Sequence, residues 1–214
     1  MFILNQTNSI ANNYLVELRD ESIQGDRLRF RQNLERLGTL LAYEISKDLV
    51  YQETKVQTCL AQTMAQTTAD DVVIISILRA AIPFSNGFVN LFDRAEFGFI
   101  GAARQESTGD EVKVNLDYAA APDLTGKTLI IADPMLATGK SLVKSIDRLI
   151  QNGIPKTIHL ASVIAAPEGI AYLNENLRLD FKIWTCALDE KLNEQSYIIP
   201  GLGDAGDLAF GPKL

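Results

Sequence analysis

Apolar residues follow two different rhythms along this chain. Over about residues 8–20 and 27–49 they recur every three to four positions, which predicts two helices. In the second stretch Phe30, Leu34, Leu37, Leu41 and Ile45 form one stripe, with Arg29, Arg31, Glu35, Arg36 and Glu44 between them. That stripe suits either the core or an association surface. After residue 70 the rhythm changes to short, nearly continuous apolar runs: VVIISIL (72–78), FGFIGA (97–102), TLIIAD (128–133), TIHLASVI (157–164) and FKIWTC (181–186). Segments 83–92, 139–151 and 167–176 suit helices, while 103–127 has no apolar period. Continuous apolar strands alternating with helices predict an α/β fold: an open, mainly parallel sheet covered on both faces.

Such a sheet binds its ligand at the carboxyl ends of the strands. Leu78-Arg79-Ala80, Ala102-Ala103-Arg104, Asp133-Pro134 and the Gly/Asp-rich residues after Cys186 all fall at that edge. Composition narrows the ligand. The chain has 214 residues, 47% of them hydrophobic, enough for one domain with a sizeable core. Its net charge of −7 argues against a nucleic-acid coat or an anionic-membrane binder. No apolar run is long enough to span a bilayer, and MFILNQTNSI lacks the basic start of a secretory signal. Cys59 and Cys186 are isolated and form neither a disulfide framework nor a zinc motif, which predicts reduced thiols in a cytoplasmic setting. The single histidine, His159, reads as a strand residue with a satisfied ring. Cys59, Cys186 and Trp184 read as structural.

The loop Asp133-Pro134-Met135-Leu136-Ala137-Thr138-Gly139-Lys140-Ser141 leaves an apolar strand and opens a helix with Leu142, Ile146, Leu149 and Ile150 on one face. Small residues at 137–139, the unsatisfied N–H groups of a helix start and the hydroxyls of Thr138 and Ser141 make a phosphate cradle. An ordinary capped helix would use the same residue types. A Walker-type loop would need glycine where Pro134 stands, which disfavours a P-loop kinase. A carboxylate at the strand end suits a phosphorylated sugar, whose hydroxyls Asp133 can hold. Lys140 reads two ways: as a cation beside phosphate, or as part of a solvated row with Lys144 and Arg148. Further on, residues 197–211, Tyr197-Ile198-Ile199-Pro200-Gly201-Leu202-Gly203-Asp204-Ala205-Gly206-Asp207-Leu208-Ala209-Phe210-Gly211, have four glycines and a proline, too many for a long helix or strand. A mobile terminus would look similar. Tyr197, Ile198, Ile199 and Leu202 are apolar enough to dock. Glycine would then allow backbone groups to approach a flat, uncharged base.

LIIADPMLATGKS resembles the loop that binds phosphoribosyl pyrophosphate (PRPP) in phosphoribosyltransferases, and DPMLATG resembles the uracil-specific members. YIIPGLGDAGD is similar to the tail of the same family. ILRA (77–80), Arg104 and FRQNLERLGTLLAYE (30–44) extend the likeness from about residue 27 to the end. The resemblance implies transfer of a phosphoribosyl group from PRPP to uracil, giving UMP and diphosphate. It implies Asp133, Arg79 and Asp204 as catalytic residues. PRPP would be held by Arg79, Arg104, Asp133, Pro134, Met135, Leu136, Ala137, Thr138, Gly139, Lys140, Ser141 and Asp204. Uracil would be held by Ile198, Gly203, Asp204 and Ala205. Mg2+ would enter mainly on PRPP, water-bridged to Asp204, with no direct protein ligand. A homodimer or higher homo-oligomer and GTP as an effector follow from the same likeness, as does a covering role for 104–122. The expected organisation is one domain over 1–214, with N-terminal helices (1–50), an α/β core (70–186) and a uracil-binding tail (187–214).

The chain departs from the family pattern on the PRPP side. ILRAA stands for ILRAG, AARQEST for a pattern nearer LYRDEET, Ala-Ala-Pro (120–122) for Lys-Leu-Pro, and Gly139-Lys140-Ser141 for Gly-Gly-Ser. The alternative reading is therefore a non-catalytic protein that senses PRPP or UMP on the same scaffold.

Overall fold

The computed structural model describes residues 1–105 and 113–213, with side chains described outside 102–117. The chain opens on a two-residue strand β1 (Phe2–Ile3) and the helices α1 (Ala11–Arg19) and α2 (Arg27–Ser46). Asp26 caps α2 by accepting from the N–H groups of Leu28 and Arg29. The predicted stripe Phe30, Leu34, Leu37, Leu41 and Ile45 is buried within this one chain, which assigns it to the core. The hairpin β2 (Tyr51–Gln57) and β3 (Gln62–Thr68) follows, exposed on both faces. Its polar sequence gave no apolar signal. Cys59 lies exposed at its turn, so it is not the structural cysteine the sequence suggests. Cys186 is buried, and burial pushes its thiol pKa up.

The remaining elements are β4 (Val72–Leu78), α3 (Ala81–Leu91), β5 (Glu96–Gln105), β6 (Lys113–Ala120), β7 (Thr128–Ala132), β8 (Met135–Leu136), α4 (Lys140–Leu149) and β9 (Thr157–Ala165). They end with α5 (Pro167–Asn176), β10 (Phe181–Leu188), β11 (Lys191–Leu192), β12 (Ile198–Ile199) and α6 (Ala205–Phe210). Eight strands form the main sheet in the order β1-β10-β9-β7-β4-β5-β6, with β8 paired to β9. Only β5–β6 is antiparallel. Strand β6 runs through the segment that lacked an apolar period. An edge strand has one neighbour, so it needs no continuous apolar run.

Alternation along the buried strands feeds two cores. Ile74, Ile130 and Val163 pack with α1, α2, α3 and α6. Val73, Ile75, Leu129 and Ile131 pack with Leu142, Val143, Ile146 and Leu149 of α4 and Leu173 of α5. From β4 the chain moves outward to β5, then crosses back to β7 on the other side. The order therefore reverses between β4 and β7, which fixes a crevice at their carboxyl ends. No helix among the described residues is long and apolar enough to cross a membrane.

His159 sits near the start of β9, away from that crevice. The Trp184 Nε1–H donates to its Nδ1 at 3.0 Å, but Nε2 is buried without a hydrogen-bond partner, 4.0 Å from Asp48. The ring is thus satisfied on one side only. Burial, aided by the Lys182 charge and opposed by Asp48 and Asp70, lowers its pKa from 6.5 to about 4. A depressed folded-state pKa contributes stability above pH 6.5 that is lost as pH falls towards 4. The shift corresponds to about 3 kcal/mol. Chemical denaturation at pH 7 and pH 4 should show His159→Gln losing less stability over this window than the parent protein. Equal losses would refute the assignment.

Candidate active site

A cavity of about 690 Å³ opens at the crevice, in the size range of small-molecule sites. Four regions of sequence build its wall: 77–80 at the end of β4, Asp133 with 135–139 and 141–142 after β7, 196–198 with 203–206 in the tail, and 212–213 beyond α6. Gly101 and Tyr118 add the β5–β6 side.

The first two regions are placed by parallel registry. Ser76 pairs with Ala132, so β7 ends two residues before β4, and Arg79 and Asp133 follow the ends of neighbouring strands. The Asp133 N–H donates to the Ala161 carbonyl (3.0 Å), and its Oδ1 accepts from the Met135 N–H (3.1 Å). Met135 and Leu136 then pair with β9 as β8, which holds the loop against the sheet. Gly139 takes φ +74° to start α4, and the helix start meets the cavity at Gly139, Ser141 and Leu142. A helix of ten residues begins there and brings its first-turn N–H groups and the positive end of its dipole. Thr138 Oγ1 accepts from the Lys140 N–H at 3.4 Å. Two residues of the predicted loop stand off the wall. Pro134 is buried and its carbonyl accepts from the N–H groups of Val163 and Ile164, while Lys140 is half-buried and outside the cavity lining.

The tail reaches the same cavity from another direction. Ile198 and Ala205 are buried, Gly203 turns at φ +86°, and Asp204 caps α6 by accepting from the Asp207 N–H at 2.9 Å. All four predicted base-side residues line the wall. Arg79 Nη2 donates to Asp207 Oδ1 (2.8 Å) and to the Gly211 carbonyl (2.6 Å), joining the strand-end arginine to the tail. In the covering segment 104–122, residues 106–112 and the side chains of 104–117, Arg104 included, lie outside the described residues.

Several supporting residues were not evident in the sequence. Arg19, on α1, makes a bidentate pair with Asp189 (2.6 and 2.9 Å) and also donates to the Gly201 carbonyl (2.9 Å). Asp189 accepts from the Gly201 N–H as well (2.9 Å). This clasp fixes the turn between Ile198 and Gly203. The two partners are 170 residues apart, so no local pattern links them. Gly169 of α5 presses against the phosphate-type loop: a Cβ there would stand 2.2 Å from the Ala137 carbonyl oxygen. Asp207 was inside the tail motif, but its partner was not legible. We expect Asp189→Ala to cost about 3 kcal/mol of stability, as loss of one member of a largely buried pair does. The KM of the ligand that docks on the tail should rise more than that of the ligand held by the loop after β7. Equal changes in both would argue against a clasp specific to the tail.

Among the described residues no group of three or more His, Cys, Asp or Glu side chains is set to hold a metal. Asp133 and Asp204 are the carboxylates on the described wall. That donor set fits an ion carried by substrate oxygens and touched through water.

The uracil phosphoribosyltransferase family model matches residues 5–212. The chain belongs to the uracil phosphoribosyltransferase family. A uracil phosphoribosyltransferase of Porphyromonas gingivalis is 45% identical over 211 residues, covering 99% of this chain and 98% of that one. One from Pyrococcus furiosus is 41% identical over 203 residues, covering 94% and 85%. In structure, the AQ2163 protein of Aquifex aeolicus superposes over the whole of both chains with a TM-score of 0.88 and 30% identity. The family's reaction joins PRPP and uracil to give UMP and diphosphate, and the crevice described above is the expected place for it on this sheet.

Proposed function

We propose that this cavity carries out the phosphoribosyl transfer, with the catalytic rather than the sensing reading favoured by the relatives' names. The carrying observation is that the loop led by Asp133 and the tail residues Ile198 and 203–206 line one cavity. The loop 137–141 anchors the 5′-phosphate at the start of α4. Asp133 accepts hydrogen bonds from ribose hydroxyls and its charge favours the positive ribose that forms as the anomeric bond to diphosphate breaks. Arg79 faces the diphosphate, and the family likeness assigns Arg104 to the same group; an arginine fork suits phosphate oxygens. Main-chain groups at Ile198, Gly203 and Ala205 orient uracil on the opposite face, so the new bond forms with inversion. Mg2+, when bound, neutralises diphosphate charge; Asp204 is the residue that would hold its water shell.

The chain acts as one phosphoribosyltransferase domain, in which residues 1–50 support the core and 187–214 bind the base. It works as a homo-oligomer; the hairpin β2–β3 supports this by leaving Leu60 93% and Met64 55% exposed. Sedimentation of a single monomeric species would overturn that part. A cytoplasmic location agrees with its two unpaired cysteines.

The function is tested by mixing protein, Mg2+, PRPP and labelled uracil and measuring UMP, with adenine, hypoxanthine and orotate as competing bases. GTP is added in a parallel series. UMP formation selective for uracil is expected. PRPP binding without turnover would instead support the sensing protein.

A further inference from the structure

The chain's last described residues close the cavity with a cation. Helix α6 ends at Phe210, and Gly211 turns the backbone at φ +90°. Two arginines pin this turn: Arg31 donates to the Ala209 carbonyl (2.8 Å) and Arg79 to the Gly211 carbonyl (2.6 Å). Gly211 is buried as a result, and Pro212 and Lys213 are delivered to the cavity wall. Lys213 Nζ lies 3.9 Å from Asp204 Oδ2, with its side chain 66% exposed.

The charge around this corner is poorly balanced for a polyanion. Among the described residues, the wall carries Asp133 and Asp204 against Arg79 and Lys213. Arg79 already spends one nitrogen on Asp207. Lysine is a point charge on a flexible stem, so it can leave a loose carboxylate contact for a phosphate oxygen. We infer that Lys213 is a binding residue for the diphosphate part of PRPP, acting from the tail beside Arg79. The assignment follows from position: Lys213 is held at the Arg79–Asp204 corner of the cavity that the 5′-phosphate loop 137–141 also lines. This inference rests on the reading of the cavity as the PRPP site.

The test uses magnesium diphosphate and UMP as separate inhibitors of the full-length protein. UMP contains the 5′-phosphate and the base but no diphosphate. Lys213→Ala should raise the inhibition constant for diphosphate and the PRPP KM about tenfold, leaving UMP inhibition and the melting temperature near those of the parent. Lys213→Arg should recover diphosphate inhibition. Unchanged diphosphate inhibition at low salt would overturn the inference, as would equal weakening of diphosphate and UMP, which would mark a general loosening of the tail. If the parent protein itself shows no diphosphate inhibition competitive with PRPP, the reading of the cavity fails instead.

Discussion

Asp133→Asn is expected to lower kcat for UMP formation by roughly 10²–10³-fold, the loss typical of removing one preorganised charge at a reacting centre. The substitution isolates charge from shape. Asparagine has nearly the same outline, and its Oδ1 can still accept from the Met135 N–H, the bond Asp133 makes at 3.1 Å. The strand beneath it is fully buried and paired on both sides, so the backbone has little freedom to move. On the proposed mechanism, what disappears is the negative charge next to the ribose as its bond to diphosphate breaks. A neutral amide can still meet a ribose hydroxyl, so PRPP KM should change less than kcat. Uracil binding to the PRPP complex, followed by calorimetry, should persist. Turnover close to that of the parent protein would remove Asp133 from the mechanism.

Gly169→Ala carries the second large effect, through a residue that touches no predicted ligand. A Cβ at 169 would lie 2.2 Å from the Ala137 carbonyl oxygen and 3.0 Å from its carbon. Those are backbone atoms of the phosphate-type loop, and van der Waals contact requires more than 3 Å. The loop or the start of α5 must therefore shift by about 1 Å, a displacement able to cost about 10²-fold in rate at a positioned site. The loop has little room to accommodate this elsewhere. Leu136 pairs with Ala165, and the Ala166 N–H donates to the Leu136 carbonyl at 2.9 Å. The loss should appear in kcat/KM for PRPP, with the circular dichroism spectrum preserved. A variant with unchanged PRPP kinetics would show that the contact is not transmitted to the phosphate site.

The two predictions differ in how far the sequence foreshadows them. Asp133 was visible because it ends an apolar strand and begins a run of small and hydroxylic residues, a chemistry written in adjacent positions. Gly169 was not, because its constraint comes from a carbonyl 32 positions earlier that arrives only when α5 packs on the loop. The strands β4, β7, β9 and β10 were legible for the same reason as Asp133: burial on both faces demands continuous apolar residues. The exposed hairpin β2–β3 and the edge strand β6 were not, since neither needs that composition. The tail's short α6 also escaped notice; six residues capped by Asp204 do not outweigh four glycines in a composition window.

The sequence alone determined the α/β class and singled out two segments, 133–141 and 197–211, as candidates for the site at the carboxyl edge of the sheet. Each depends on residues next to one another, where hydrogen bonding, periodicity and turn geometry act over a few positions. Only the tertiary structure decided that those segments face one cavity, that Arg79 is tied to Asp207 and Gly211, and that Arg19 and Asp189 brace the turn at Gly201. It alone brought Lys213 to the wall. These are contacts between distant parts of the chain, created by the reversal of strand order between β4 and β7 and by the packing of the terminal elements around it.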